Sequence, residues 1–287
     1  MKQPGESALL ILGLAHNVAG NIEKDIKAFE LATSGFASTQ FFILESDSED
    51  FTVSTLEQLK AEVENFQFVS LGNLKPEIPN RIDRISYCRN ALMDKVKSIA
   101  NEMDYVLVAD LDGVNRNISR EAIESCWTRG DWGVCAANQS QHYYDIYALR
   151  HRKLSPNNCW HEYLNLRNSG LHPMRARNIA VYSRQVHIPK DSPWIEVDSA
   201  FGGLAIYDAS LYFNSSYSSR NSDGSQICEH VALHEQIRNS GGRIFINPEM
   251  INSEGIQKKS LRYILSFAVK YLFSYFAPDK FEERFGE

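Results

Sequence analysis

The strongest constraint on this chain is a set of short apolar runs separated by amphipathic stretches. "ALLILGLA" (8–15), "TQFFILES" (39–46), "FQFVSLG" (66–72) and "YVLVA" (105–109) are the early runs, and the first is apolar without a break. A strand covered on both faces has this composition, and such strands belong to largely parallel sheets with a helix layer on each side. Helical spacing fills the gaps. Val18, Ile22, Ile26 and Phe29 recur at three- and four-residue intervals. "DFTVSTLEQLKAEVENF" and "RIDRISYCRNALMDKVKSIANEM" give two further helices. Strands alternating with helices predict β-α-β units, hence an α/β fold: a Rossmann-like, mostly parallel central sheet flanked by helices.

Beyond Asn115 the pattern is mixed. "WGVCAANQ", "AFGGLAIYD" and "RIFINPEM" are expected strands, and "CEHVALHEQIRNSGG" a helix stopped by glycine. Residues 154–190 are polar and rich in Asn and Arg, which points to a binding loop or lid. Neither repeats nor a low-complexity linker interrupt the chain, so one domain is expected over 1–257. An amphipathic extension follows over 258–287. There Lys259, Arg262, Ser266, Lys270 and Ser274 form a polar, basic stripe, with Pro278 as the stop. Such a helix either docks on the sheet or lies at a membrane surface; its charges argue against a spanning segment.

The chain's 287 residues suffice for a substantial core. Its net charge of -6 gives no general attraction to nucleic acid, which is therefore not an expected partner. Five cysteines without a C-x-x-C pair fit reduced thiols and a cytoplasmic setting, with neither a disulfide framework nor a zinc site. The first apolar run is too brief and too poorly flanked for a signal peptide and is taken as the first strand.

The chemistry concentrates in "DYVLVADLDGVN" (104–115). Ligands of open α/β sheets bind at the carboxyl ends of strands. There Asp110 and Asp112 alternate onto one side while Leu111 points inward. Two converging carboxylates suit Mg²⁺ or Mn²⁺, bound through them and a substrate diphosphate, with Gly113 allowing close backbone approach. The competing reading is a strand-end turn that caps a helix.

Other stretches carry their own signals. "ESDSEDFT" places Glu45, Asp47 and Asp50 between a strand and a helix, where Ser48 or Asp50 could equally be a cap. Arg81, Arg84, Arg89 and Asn90 lie on the helix before the aspartates, and an arginine there can pair with phosphates. Tyr143, Asp145 and Tyr147 would share a face if extended, as rings and an acid suited to a sugar. Gly202 and Gly203 permit close backbone approach or a bulge, with Asp198 just before them. Glu229 is followed by His230 and His234, the histidines one helical turn apart, a spacing open to metal ligation.

Taken in order over roughly residues 10–248, "LAHNVAGNI", "ESDSEDFT", "RISYCRNALMD", "VADLDG", "YYDIYALRH", "FGGLAIYD" and "CEHVALH" with "GGRIFINP" resemble the GT-A fold of nucleotide-sugar glycosyltransferases. Within that fold they are loosely similar to capsule-associated α-mannosyltransferases and bacterial polysaccharide enzymes. The resemblance implies a D-x-D motif that holds Mn²⁺ or Mg²⁺ and a nucleotide diphosphate sugar donor, with hexose passing to a glycan or lipid-linked glycan acceptor, of polysaccharide, lipopolysaccharide or capsule. It implies donor contacts from Asn17, Glu45, Asp47, Arg89, Asp110, Gly202 and Gly203, with Asp145 and Asp198 toward the sugar and acceptor. Metal ligands would come from Asp110, Asp112, His230 and His234. Many such enzymes carry an acidic pair where this chain has Glu229-His230. That leaves three options open: Glu229 as general base, His230 in its place, or a retaining reaction with no base. Two other functions stay open: a nucleotidyltransferase acting on a sugar phosphate, for which "GLAHNVAGNIEKD" lacks the basic glycine-rich loop, and a non-catalytic carbohydrate-binding domain.

Overall fold

The computed structural model describes residues 1–255 together with 269–270. The first half alternates as expected: β1 (Ala8–Ala15), α1 (Ile22–Ala32), β2 (Ser38–Glu45), α2 (Thr52–Glu62), β3 (Phe66–Ser70), α3 (Arg81–Val96) and β4 (Tyr105–Asp110). The second half adds α4 (Arg120–Glu124), β5 (Val134–Gln139), α5 (Cys159–Asn168), α6 (Pro173–Ala180), β6 (Ile195–Glu196), β7 (Leu204–Asp208), α7 (Ala209–Phe213), α8 (Glu229–Asn239) and β8 (Ile244–Ser253). These strands form one sheet in the order β3-β2-β1-β4-β7-β5-β8-β6. Strands β1 to β4 pair in parallel, as do β5 and β8, while β7 runs antiparallel to both β4 and β5, and β6 antiparallel to β8. The α/β, mostly parallel sheet anticipated from the apolar runs is the one observed.

Alternation within each strand divides the core in two. Leu9 and Ile11 of β1 face a layer containing Ile22, Ile26 and Phe29 of α1 and Leu56 and Leu59 of α2. Leu10 and Leu12 face Cys88, Leu92 and Val96 of α3 and Leu233 and Ile237 of α8. Each fully buried aliphatic side chain contributes about 1.5–3 kcal/mol, so a strand lined on both faces is held from both sides.

Two local expectations are corrected. Residues 154–190 are not one irregular loop: α5 and α6 occupy much of the stretch. Asn158 caps α5 by accepting the Trp160 N–H at 3.0 Å, and Pro173 sits in the first turn of α6. The polar composition hid short helices whose signals are caps rather than periodicity. The segment around Tyr143, Asp145 and Tyr147 is not extended; it turns at 146–148, where Asp145 Oδ1 accepts the Ala148 N–H at 3.2 Å. An acid bonded to its own downstream backbone makes a turn, so the alternation does not define a face. The extension expected over 258–287, with its boundary at 257, lies outside the described residues apart from 269–270.

One buried group couples α1 to the turn after β4. Asp25 is 0% exposed, and its Oδ2 accepts the Gly113 N–H at 2.8 Å while Oδ1 has no partner among the described residues. Burial, opposed by that hydrogen bond and reinforced by Asp112, raises its pKa from 3.8 to about 6. A raised carboxyl pKa favours the folded state below the unfolded value, and that contribution is lost as pH rises through about 6. Asp25→Asn keeps an acceptor for Gly113 and removes the charge. The variant is expected to gain stability over wild type between pH 4 and 7, by up to roughly 2–3 kcal/mol. Denaturant unfolding at several pH values checks this; a pH-independent difference would show that Asp25 does not titrate in the fold.

Candidate active site

The six strands that run in one direction end on one edge, and the antiparallel β7 begins there. A cleft of about 310 Å³ opens along this edge between the ends of β1, β2 and β4 and the first half of α3. Asp110 and Asp112 line it, with Asp47, His16, Arg81, Arg84 and Arg89. Arg81, Arg84 and Arg89 line its α3 wall; Arg84 pairs with Asp47 and donates to the carbonyls of Ile78 at 2.8 Å and Pro79 at 2.9 Å, while Arg89 reaches toward Asp110. Cations on one wall and carboxylates at the floor form a receptacle for a species that brings both negative oxygens and a cation.

A buried ion pair sets the floor. Arg89 is 6% exposed, and its Nε donates to Glu229 Oε1 at 3.1 Å while Nη2 lies 3.7 Å from Asp110 Oδ1. The guanidinium also lies 5.5 Å from the ring centres of both Phe201 and Tyr217. Burial alone would favour its neutral form, but Tyr217, Glu229 and Asp110 hold it charged. Asp110 is pushed up to about 7, first by withdrawal from water and then by Asp112, Asp145 and Glu229, against the pull of Arg89. Asp112 is exposed beside it, and its Oδ1 accepts the Val114 N–H at 3.2 Å.

An amide network lies beneath the aspartates. The Asp110 N–H donates to the Gly203 carbonyl at 2.9 Å. Asn115, fully buried, donates to the carbonyls of Asp110 at 2.8 Å and Gly203 at 2.9 Å. Asn252 donates to Asn115 Oδ1 at 2.7 Å and to the Gly202 carbonyl at 2.8 Å, and Gln139 donates to the same Gly202 carbonyl at 3.1 Å. The ends of β4, β5 and β8 are thereby tied to the turn before β7. Buried side-chain amides satisfied in this way fix a single arrangement.

Of the residues singled out from sequence, Asp47, Arg81, Arg84, Arg89, Asp110 and Asp112 line the cleft. The others are placed differently. Glu45 is 1% exposed; its Oε1 accepts the Ser48 N–H at 3.0 Å and its Oε2 accepts from Ser70, so it staples β2 to β3 and cannot reach a nucleoside. Asn17, in a left-handed conformation, accepts the Glu49 N–H at 2.8 Å and ties the first loop to the second outside the cleft. Asp47 has a foot in both camps: its Oδ1 accepts the N–H groups of Leu74 and Lys75, each at 2.8 Å, while Oδ2 faces Arg84 at 3.4 Å. Partial burial would raise its pKa, but the two N–H donors and Arg84 hold it low.

Gly202 and Gly203 have φ of +69° and +82°, and a Cβ on Gly203 would sit 2.5 Å from the Tyr144 hydroxyl. Their missing side chains make room for the protein itself. Asp145 Oδ2 accepts the Gly202 N–H at 3.0 Å and so anchors that turn instead of facing the cleft. Asp198 lies outside the cleft, paired with Arg238 at 3.1 Å.

His230 and His234 share a face of α8 as expected, but that face is inside. His234 is 0% exposed, with Nδ1 2.8 Å from the Ser199 hydroxyl and Nε2 3.0 Å from the Tyr207 hydroxyl. Both ring nitrogens are engaged, and His234 is not a ligand to a cation at Asp112. His230 stacks on Phe201 at 3.9 Å between ring centres, and its Nε2 is buried with no hydrogen bond among the described residues. Burial, then Arg89 and His234, lowers the His230 pKa far below the usual value; burial and then Arg238 lower that of His234 to about 3. Both are neutral core histidines. Glu229, 6% exposed, lies behind Arg89, with its Oε2 3.6 Å from Cys228 Sγ.

Sequence reasoning passed over His16, although its place directly after β1 on the ligand-binding edge was a usable signal. Asp25 and the amide network gave none, because buried polar residues are recognised only by the partners a fold brings to them.

No protein-family model and no curated protein sequence matches the chain. Solved structures of similar shape include a mannosyltransferase from Pyrobaculum calidifontis in complex with GDP-Man and Mn²⁺. It is 12% identical with a TM-score of 0.48, over 96% of this chain and 65% of that one. The S. aureus protein TarS in complex with UDP-GlcNAc is 12% identical with a TM-score of 0.45, over 83% of this chain and 55% of that one. Glucosyl-3-phosphoglycerate synthase from Mycobacterium tuberculosis, in complex with UDP, is 14% identical with a TM-score of 0.43, over 93% and 79%. The chain thus spans less than two thirds of the first two proteins. Because one fold hosts many chemistries, these are likenesses of shape alone.

Proposed function

We propose that the chain is a metal-dependent glycosyltransferase that moves a hexose from a nucleoside diphosphate sugar to a glycan hydroxyl. The observation that carries this reading is that one cleft on the ligand-binding edge is lined both by Asp110 and Asp112 and by Arg81, Arg84 and Arg89. A diphosphate chelating a divalent cation has the complementary pattern, with anionic oxygens for the arginines and a cation for the aspartates. Oxygen donors fit Mg²⁺ or Mn²⁺. Among the described residues no group of three or more His, Cys, Asp or Glu could hold a metal ion. Asp112 and Asp110 would therefore share a cation with the diphosphate and water.

The cation, when bound, would neutralise charge on the departing diphosphate. The chain's own residues do the rest. Arg81 and Arg84 orient the phosphates from the α3 side. Arg89, fixed by Glu229, keeps a positive charge beside Asp110 that needs no reorganisation during reaction. Asp145 and the amide network hold the Gly202–Gly203 turn against the end of β4. The donor cleft is assigned to the 1–257 domain and the acceptor to a glycan; among the described residues no helix is long and apolar enough to cross a membrane.

Calorimetry with a panel of nucleoside diphosphates and their sugars, with and without Mn²⁺, tests the reading. One nucleoside is expected to bind in a Mn²⁺-dependent manner, and its sugar to be hydrolysed slowly without acceptor. Asp112→Asn should weaken Mn²⁺-dependent binding at least tenfold without changing the unfolding midpoint. Full retention of affinity would remove the metal role. Incorporation of a nucleoside triphosphate into a sugar phosphate would instead establish a nucleotidyltransferase.

A second expectation separates the roles open for Glu229. As the buried counter-charge of Arg89, its replacement in Glu229→Gln should destabilise the fold by about 3–5 kcal/mol, the usual result of removing one partner of a buried pair. A general base would leave stability intact and lose roughly 10²–10⁴-fold in turnover. Denaturant unfolding and steady-state kinetics on the same preparation distinguish the two.

A further inference from the structure

A second cleft, of about 280 Å³, lies on the other side of the N-terminus of α3. Tyr147, Trp160 and Leu164 give it an apolar wall, and Asn80, Arg81 and Gln226 line its rim. Leu164 is 50% exposed, although α5 has a buried side available at Cys159 and Tyr163. The Arg177 guanidinium stacks over Trp160, 4.9 Å from the ring centre, and Tyr163 meets the indole edge-on at 5.9 Å. The indole is thus braced on the protein side while it contributes to the cleft wall.

The polar groups at the rim are held in place yet keep hydrogen-bonding capacity. Asn80 Oδ1 accepts the N–H groups of Ile82 at 2.9 Å and Asp83 at 3.1 Å, as well as Gln226 Nε2 at 3.0 Å. That fixes both amides, and leaves Asn80 Nδ2 as a donor and Gln226 Oε1 as an acceptor. Arg81 adds a guanidinium and lines the donor cleft as well. An aromatic wall for C–H faces, planar amides for hydroxyls and a nearby cation match a pyranose ring. A peptide helix would want a longer apolar groove, and a phosphate would find one arginine only.

We propose that this cleft is a saccharide subsite that holds a ring of the acceptor glycan, one turn of α3 from the diphosphate cleft. The assignment as acceptor rests on the function proposed above, but saccharide binding by the cleft does not. The shared Arg81 sets the direction: an acceptor held by Trp160 and Tyr147 extends its hydroxyl along the start of α3 toward Asp110 and Asp112.

Saturation-transfer NMR on the full chain, with a panel of methyl hexopyranosides and disaccharides, tests the subsite without requiring turnover. At least one saccharide is expected to receive saturation in wild type. Trp160→Ala and, independently, Leu164→Ser at the exposed wall should each weaken its binding at least tenfold. Nucleoside diphosphate affinity measured with Mn²⁺ should stay within twofold in both variants. If no saccharide binds wild type, or if both variants bind it unchanged, the subsite is overturned, whatever the nucleotide titration gives. Saccharide binding lost in the variants but with no nucleotide binding by wild type would keep the subsite and sink the transferase reading. Parallel loss of nucleotide affinity in both variants would also overturn the proposal, since it requires two separable clefts.

Discussion

Everything at the ligand-binding edge depends on one buried charge, that of Arg89. It reaches from α3 to the end of β4 through Asp110 and to the first residue of α8 through Glu229. Three elements distant in sequence are therefore fixed by one guanidinium that cannot lose its proton. Such a group is costly to bury, and attraction between the charges offsets that cost only where geometry is good. Phe201 and Tyr217 keep water away from it and, through their ring faces, add attraction of their own. The arrangement reads less as a device for stability than as a way of placing a permanent positive charge beside an acid that holds its proton more tightly than an ordinary carboxyl.

The sheet was largely legible in the sequence because its signal is local. A strand covered on both sides must be apolar at consecutive positions, so "ALLILGLA" and "YVLVA" announced β1 and β4 without reference to anything else. The position of Asp110, which ends β4, and of Asp112 at the carboxyl edge of the sheet was legible for the same reason. His230 and His234 show where such reading stops. Their spacing correctly put them on one face of α8, but spacing cannot say whether a face looks out or in; Phe201, Ser199 and Tyr207, supplied by distant segments, turned it inward. Gly202 and Gly203 were read as room for a ligand or a bulge; the group that closes on Gly203 is Tyr144 of the same chain. Glu45 and Asn17 sit on the ligand-binding edge, yet their side chains are consumed by the backbone of neighbouring loops.

The two clefts differ in kind. One is charged and lined from strand ends; the other is aromatic and built from the 140–199 excursion against the start of α3. Arg81 belongs to both, so a change in the occupant of one is felt at the mouth of the other through a single side chain. Coupling of this sort is short-range electrostatics and sterics, and requires no movement of the sheet.

The reversed direction of β7 has a consequence for how such a chain can diversify. β5 leaves the sheet at the same edge where β7 re-enters it, and the two strands are neighbours. Between them runs one long excursion that rejoins the sheet only through the two-residue edge strand β6, paired with β8. Its helical part, α5 and α6, can vary in length without shifting the register of either strand, whereas Asp145, which holds the Gly202 N–H, ties its first turn to the floor beside Asp110. A chain organised in this way can change what stands over the cleft while the charged strand ends beneath it keep their places.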